Sequence, residues 1–239
     1  MNNKNKEKIE KLRGTKLPLN YKFKTFYIGL GISFISSFLL IPITKKYYKS
    51  LYDNNQDITH YCWFDLETKD SYLGRIDIGL FGNSCPKSIN NYLSLIANDG
   101  SIPYSYAKSN IFRLIPKYLI CMGDVKNNDG TGHFSIYSND YIENAIDFKS
   151  SFEMKGVVGL CNKGKDTNGS SFFITLDEIP SLKGNYTVIG KVIEGLNILD
   201  LISSGFGNVD GRLDADIKIA DCGIYKFNEY VEKNQIRNF

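Results

Sequence analysis

The sequence is poor in the residues that hold metal ions in proteins. It has two histidines, His60 and His133, and five cysteines, none of them in the C-x-x-C spacing of a zinc site. The number of cysteines is odd, which argues against a framework of paired disulfides. We therefore expect no structural metal, and we predict no cofactor.

Positive charge is scarce outside the amino terminus. Residues 1–24 hold eight basic and two acidic side chains, a charge of +6, so the rest of the chain carries −3 of the formal net charge of +3. A slightly acidic folded part argues against nucleic acid as its partner. The segment Gly130-Thr131-Gly132 is short and lacks the lysine of a phosphate-binding loop, so nucleotide binding is not expected. Residues 1–24 are polar and read as a flexible tail.

One segment lacks charge altogether. Residues 25–44 contain no charged side chain, and as a helix they would span roughly 30 Å, the thickness of a bilayer's hydrocarbon core. A buried core helix should show a polar face, but only Ser33, Ser36 and Ser37 break the apolar run. A cleaved signal peptide should have a shorter apolar region followed by a small-residue cleavage site. We therefore predict a transmembrane signal-anchor helix over residues 25–44, with membrane lipid as its partner.

The charges around this helix predict its orientation. The excess of basic residues before the segment favours a cytosolic amino terminus, and so places the rest of the chain on the lumenal side of the secretory pathway. Lys45, Lys46 and Lys49 follow the segment and weaken this bias, so the opposite orientation stays open.

After a linker over residues 45–58, the pattern changes to short alternating segments separated by turn residues, which predicts one mainly β domain over residues 59–228 and a tail over 229–239. A helix should begin at Pro86, with a buried stripe at Ile89, Leu93 and Ile96. A second helix is predicted over residues 194–202. Eight strands are predicted over residues 61–66, 72–80, 110–115, 118–122, 157–161, 171–175, 187–192 and 216–221.

Three segments stand out together: Phe112-Arg113-Leu114-Ile115-Pro116, then Gly123-Asp124 with Asp129-Gly130-Thr131-Gly132, and Asn168-Gly169-Ser170-Ser171-Phe172-Phe173-Ile174. They resemble the signatures of the cyclophilins. The order and spacing of the family's shorter motifs also hold, from Phe64-Asp65 to Asp221-Cys222-Gly223. The resemblance implies an eight-stranded antiparallel β-barrel capped by two α-helices, and peptidyl-prolyl cis–trans isomerase activity on proline-containing polypeptides.

The same resemblance implies the residues of the site. Arg113 is at the position of the family's catalytic arginine, and Asn162 is where the family hydrogen-bonds the substrate backbone. Tyr186 stands at the position of a histidine on the pocket edge. The positions that match the rest of the substrate pocket are Tyr118, Leu119, Cys121, Cys161, Ser171, Phe173 and Leu182.

Several of these positions depart from the commonest family pattern. Cys121 replaces the glutamine that steadies the catalytic arginine, which predicts reduced activity. Ser181 replaces a tryptophan whose indole is a donor to cyclosporin in the family, which predicts weak cyclosporin binding. Cys161 replaces an alanine. In an oxidising compartment Cys121 and Cys161 could form a disulfide that narrows the site; the alternative is two reduced pocket thiols.

Two functions follow from this pattern. The first is a membrane-anchored peptidyl-prolyl isomerase that assists protein folding. The second is a catalytically weak or inactive scaffold module that binds proline-containing segments without isomerising them. Retention of Arg113 and Phe173 favours the enzyme, whereas the replaced glutamine and tryptophan positions favour the binding module.

Overall fold

The structure, a computed structural model, describes residues 58–137, 141–143, 152–208 and 210–226. Within these ranges it contains eight strands and two α-helices, in the order predicted from the sequence. The helices are α1 (Pro86–Ala97) and α2 (Leu196–Phe206), and a short 3-10 helix covers Pro180–Leu182. The strands are β1 (His60–Thr68), β2 (Ser71–Leu80), β3 (Ile111–Ile115), β4 (Leu119–Met122), β5 (Val157–Leu160), β6 (Phe172–Thr175), β7 (Val188–Glu194) and β8 (Ile217–Tyr225).

The strands form one antiparallel sheet that curls into a barrel. Their order is β3-β4-β6-β5-β7-β2-β1-β8, so β3 and β8 are the two edges. The edges meet just before β3, where the Lys108 N–H donates to the Ile219 carbonyl at 2.7 Å and the Ile219 N–H donates to the Ser109 carbonyl at 2.9 Å. These bonds nearly close the barrel.

Four aromatic rings fill the barrel interior next to α1. The ring centroids of Tyr92 and Phe172 are 5.1 Å apart, and Phe64 lies 6.0 Å from Tyr92 and 5.7 Å from Phe172. Tyr106 joins them and donates its hydroxyl to the Ser170 carbonyl at 2.6 Å. Phe64, Tyr92, Tyr106 and Phe172 are fully buried, so this cluster contributes much of the apolar area that stabilises the fold.

Helix α1 begins at Pro86, as predicted, because proline suits the first helical position, where no intrahelical N–H is needed. Its buried stripe differs from the prediction in one residue. Ile89 and Ile96 are buried, but Leu93 is half-exposed and Tyr92 lies in the core instead. Residues three and four apart share a helix face, so the stripe is centred one residue earlier than its aliphatic side chains suggested.

Helix α2 starts two residues later than predicted and runs one turn further, to Phe206. Gly195 precedes it with a φ of 89°, and a Cβ there would lie 2.5 Å from the Arg75 carbonyl oxygen. Only glycine fits this close approach between the helix start and β2. The helix then buries Leu199, Ile202 and Phe206.

The predicted barrel with two helices is therefore confirmed. The predicted tail over residues 1–24 and signal-anchor helix over residues 25–44 lie outside the described residues, as do most of the 45–58 linker and the tail over 229–239. Across the described ranges, no helix combines the length and apolar character needed to cross a bilayer.

Candidate functional site

A β-bulge in β3 turns Arg113 to the outer face of the barrel. Ile111 pairs with Met122 on β4, but the next pair is Arg113 with Cys121, so Phe112 is an extra residue in β3. Strict alternation from the buried Ile111 would have pointed residue 113 inward, because side chains change face at every residue. The bulge resets the alternation. Arg113 is therefore exposed, while Leu114 returns to the core.

Phe173 lies on the same outer face, in an apolar cluster that leaves it only 2% exposed. It follows the core residue Phe172 in β6, so its ring points to the opposite side of the sheet. Phe173 pairs with Cys121 on β4 and with Gly159 on β5. A Cβ at Gly159 would lie 2.5 Å from the Phe173 Cζ. The ring thus occupies space that any other residue at 159 would fill.

Two aromatic residues hold the Phe173 ring from its sides. Phe152 stacks on it with ring centroids 5.8 Å apart and planes at 22°, and Tyr186 meets it edge-on at 5.2 Å and 80°. Leu119, Leu182 and Cys161 pack in the same hydrophobic cluster, together with Cys121. This cluster is therefore assembled from β4, β5, β6 and the segment around the 3-10 helix.

Tyr186 packs against this cluster, and Tyr118 lies near it. Tyr118 is 36% exposed, and Tyr186 is half-buried. Burial raises the pKa of Tyr186, and the neighbouring Cys161 and Tyr118 raise it further. Its phenol is therefore neutral at physiological pH and can act as a hydrogen-bond donor.

The Asn162 side chain, which follows Cys161 of this cluster, is held by two hydrogen bonds. Its Nδ2 donates to the Asn185 carbonyl at 2.9 Å, and its Oδ1 accepts the Gly164 N–H at 3.3 Å. The first of these bonds ties the Asn162 side chain to the segment that carries Tyr186. The amide orientation is therefore set before any peptide binds.

Cys121 and Cys161 are both free thiols. They lie on either side of β6: Cys121 on β4, and Cys161 continuing the line of β5, with its N–H donating to the Ser171 carbonyl at 2.9 Å. Two inter-strand spacings separate Cα atoms by about 10 Å, beyond the roughly 7 Å that a disulfide spans. The disulfide considered from the sequence is therefore not formed, because a strand lies between its two cysteines.

The pKa of Cys161 is shifted by Cys121 and Arg113. Interaction with the Cys121 thiol raises the pKa of Cys161 well above its usual value; burial adds to the rise, and the positive charge of Arg113 opposes it. Cys161 is therefore a neutral thiol at physiological pH. These interactions also place Arg113, Cys121 and Cys161 in one electrostatic environment.

Ser171 lies next to these thiols with its hydroxyl unsatisfied. The residue is 4% exposed, and its Oγ has no hydrogen-bond partner among the described residues. A buried hydroxyl without a partner is costly, so a polar group of a bound peptide would be favoured here.

Asp124 organises the neighbouring loop, which contains the glycine-rich signature noted in the sequence. Its carboxylate is fully buried and accepts the backbone N–H groups of five loop residues. Burial alone would raise the pKa of Asp124, but these bonds together lower it below its usual value. These five N–H groups are therefore already bonded to the Asp124 carboxylate. The five donors are Lys126, Asn127, Asp129, Gly130 and Gly132.

The structure places six of the residues predicted from the resemblance in one hydrophobic cluster, and Arg113 pairs with Cys121 of that cluster. The six are Leu119, Cys121, Cys161, Phe173, Leu182 and Tyr186. The sequence analysis missed Gly159 and Phe152, which support the Phe173 ring. A glycine inside a strand pattern is a signal for the first, because it marks a close approach of another group. No sequence signal singles out Phe152.

An exposed arginine beside an apolar cluster, on the outside of a nearly closed eight-stranded barrel, agrees with the family that the sequence resembles. The chain belongs to the family described as "Cyclophilin type peptidyl-prolyl cis-trans isomerase/CLD", whose model matches residues 63–224. Its activity is therefore peptidyl-prolyl cis–trans isomerisation, and its substrates are proline-containing peptides.

Curated relatives with that activity cover most of the chain. It is 33% identical over 188 residues to peptidyl-prolyl cis-trans isomerase B of Saccharomyces cerevisiae, covering 78% of this chain and 90% of that protein. It is 34% identical over 173 residues to isomerase D of the same yeast, covering 72% and 75%. It is 35% identical over 166 residues to the rhodopsin-specific isozyme of Calliphora vicina, covering 70% of each chain.

Proposed function

We propose that Arg113 is the catalytic group of this isomerase and that the recess over Phe173 holds the substrate's proline ring. The supporting observation is the shared face: the bulge turns Arg113 outward beside Cys121, and Cys121 pairs directly with Phe173. Asn162, tied to the Asn185 carbonyl, is placed to bind the peptide backbone. Tyr118, Leu119, Leu182 and Tyr186 complete the wall.

The chemistry requires no covalent step. A prolyl amide resists rotation by about 20 kcal/mol because resonance keeps it planar. When the bond twists, the nitrogen lone pair localises, so a hydrogen bond to that nitrogen is stronger in the transition state than in the ground state. The guanidinium of Arg113 is always charged and offers several donors in fixed directions. A preorganised donor of this kind lowers a barrier by ~3–4 kcal/mol.

Replacing Cys121 by glutamine is expected to raise kcat/KM about fivefold. The residue opposite Arg113 on β4 is a cysteine, whose sulfur is a weak acceptor, and Arg113 has no hydrogen-bond or ion-pair partner elsewhere in the described ranges. A glutamine amide would accept a hydrogen bond from the guanidinium and hold it toward the substrate, and misplacement of a catalytic group lowers the rate strongly. A protease-coupled assay on the full chain measures the change.

Cys121→Ser is the matched control for this substitution. Serine is polar but too short to reach the guanidinium across the strand pair, so its kcat/KM should stay near that of the unmodified protein. Equal rates for Cys121, glutamine and serine would mean that the orientation of Arg113 does not limit the reaction.

We also propose that the protein binds cyclosporin weakly. Ser181, where the family pattern has an indole donor, is exposed in the 3-10 helix next to Leu182. Replacing Ser181 by tryptophan should restore this donor and lower the Kd for cyclosporin at least tenfold. A tenfold lower Kd corresponds to about 1.4 kcal/mol of binding free energy. Isothermal titration of both proteins tests this, and nanomolar affinity of the unmodified protein would contradict it.

A second candidate function is a module that binds proline-containing segments without isomerising them. The observation that favours it is the weak side-chain support of Arg113 opposite Cys121. NMR exchange spectroscopy separates the two functions, because a scaffold shifts peptide resonances without speeding cis–trans exchange. Exchange that is faster with the unmodified protein than with Arg113→Ala supports the enzyme.

We propose further that residues 25–44 anchor the protein in a membrane and that the domain faces the lumen, where it assists the folding of secretory or membrane clients. The uncharged run of 20 residues and the basic segment before it support this proposal. Protease protection in sealed vesicles tests it: a domain that survives until detergent is added faces the lumen. A variant lacking residues 1–44 should no longer sediment with the membranes.

A further inference from the structure

The segment that follows α2 lies beside the Arg113 side chain. A Cβ built at Gly211 would reach van der Waals distance, 3.5 Å from the Arg113 Nε and 3.7 Å from its Cγ. The Gly211 carbonyl accepts the Leu114 N–H at 3.1 Å, so the segment is bonded to β3 one residue beyond the arginine. The Gly211 backbone is therefore held within about one methyl group of the aliphatic part and the Nε of the Arg113 side chain.

One side chain folds this segment into its turn. The Asn208 Oδ1 accepts two backbone N–H groups, from Asp210 at 3.1 Å and from Arg212 at 3.0 Å. The Asn208 carbonyl also accepts the Gly211 N–H at 3.2 Å. Side chains of asparagine and aspartate form such turns because their oxygen can reach backbone donors two residues ahead. Without the Oδ1, the N–H groups of Asp210 and Arg212 would lose this acceptor and would have to hydrogen-bond water instead.

The backbone at Gly211 depends on this turn. Its φ of 76° lies in the left-handed region, which glycine adopts at little cost. The bonds to Asn208 on one side and to Leu114 on the other hold the peptide in that conformation. Asn208 therefore holds the turn, and the turn sets the position of the Gly211 backbone beside the Arg113 side chain.

We propose that Asn208 is a positioning residue for Arg113: through the turn it closes, it presses the Gly211 backbone against the arginine stem and so limits the directions that the guanidinium can take. The inference rests on the proposed role of Arg113 as the catalytic donor. The long, exposed side chain of Arg113 can adopt many rotamers opposite Cys121. If the turn excludes some of them, the guanidinium is restricted to fewer directions.

The test compares Asn208→Ala with Asn208→Asp in the full chain. Alanine removes the acceptor of both turn bonds, and kcat is expected to fall about tenfold while KM changes less than twofold, because the recess that binds proline is untouched. Aspartate keeps an oxygen at the same position and should retain at least half of the kcat. A second readout is the NMR signal of the Arg113 Nε, which should shift toward that of a free arginine in Asn208→Ala only.

A stability control separates positioning from general loosening. Gly100→Ala places a side chain at a positive φ of 86°, which strains the backbone, and nothing lies within 4 Å of the new Cβ. This variant is expected to lose stability with unchanged kcat. If Gly100→Ala and Asn208→Ala lower kcat equally, the effect is global and the inference is overturned.

The double variant Asn208→Ala/Arg113→Ala separates this inference from the proposed function. If Asn208 acts through Arg113, the Asn208 substitution should have no further effect on the residual rate once the arginine is gone. An additional tenfold loss in that background would overturn the positioning role and leave the catalytic role of Arg113 standing. A full rate in the single variant Arg113→Ala would instead overturn the catalytic role itself.

Discussion

Replacing Arg113 by alanine is expected to lower kcat/KM about 100-fold while the free energy of unfolding changes by less than about 0.5 kcal/mol. The side chain is exposed and takes no part in the barrel core, so its removal costs little stability. The rate loss follows from the lost donor to the twisted amide nitrogen, since each 1.4 kcal/mol of barrier is worth a factor of about ten. Stopped-flow measurement of the protease-coupled reaction determines the rate.

Two matched variants show whether the effect belongs to this guanidinium. Arg212→Ala removes an equally exposed arginine from the neighbouring turn and should leave kcat/KM within about twofold. Arg113→Lys keeps the charge but loses the planar set of donors, so its rate should stay close to that of the alanine variant. A lysine variant with full activity would mean that charge alone suffices.

Replacing Gly159 by alanine is expected to lower kcat/KM about 10- to 100-fold, although residue 159 touches no substrate. The new methyl group would lie 2.5 Å from the Phe173 Cζ and 2.8 Å from its Cε1, so the ring must move. Phe152 and Tyr186 hold the ring from both sides, which directs the movement toward the recess. The floor would then occupy part of the space that receives proline.

The same substitution should cost about 1–3 kcal/mol of stability, the usual range for overpacking. Gly223→Ala is the matched control, because its methyl group would lie 2.6 Å from the Trp63 Cζ2 in a similar strand environment on β8. It should lose comparable stability with kcat/KM unchanged. If both variants lose activity in parallel, the effect reflects stability and not the position of Phe173.

Much of the fold could be predicted from local patterns. Pro86 marks the start of α1, and alternation in β2 predicts the buried positions Ile76 and Ile78. Such patterns depend on neighbours within a few residues, which the sequence contains in full. Such patterns did not predict that Tyr92 is buried in place of Leu93. A tyrosine has both apolar and polar parts, so whether it lies inside or outside depends on what packs against it.

The candidate site was predicted differently, through ordered motifs that resemble those of a known family. This route predicted Arg113 and Phe173 as site residues, because motifs preserve residue types at fixed spacing. It did not identify Gly159 or Asn208, whose side chains or backbone act on other residues and not on substrate. The sequence also left a Cys121–Cys161 disulfide open, which the order of β4, β6 and β5 excludes.

The sequence by itself determined the strand and helix segments, the barrel class and the identity of the chemical groups, since these follow from short-range periodicity and residue type. Only the tertiary structure decided which way those groups point. The bulge that turns Arg113 outward, the close approach of Phe173 to Gly159 and the position of Gly211 beside the Arg113 side chain each depend on register between segments far apart in the chain. Register is set by the pairing of all strands at once, and no single segment contains it.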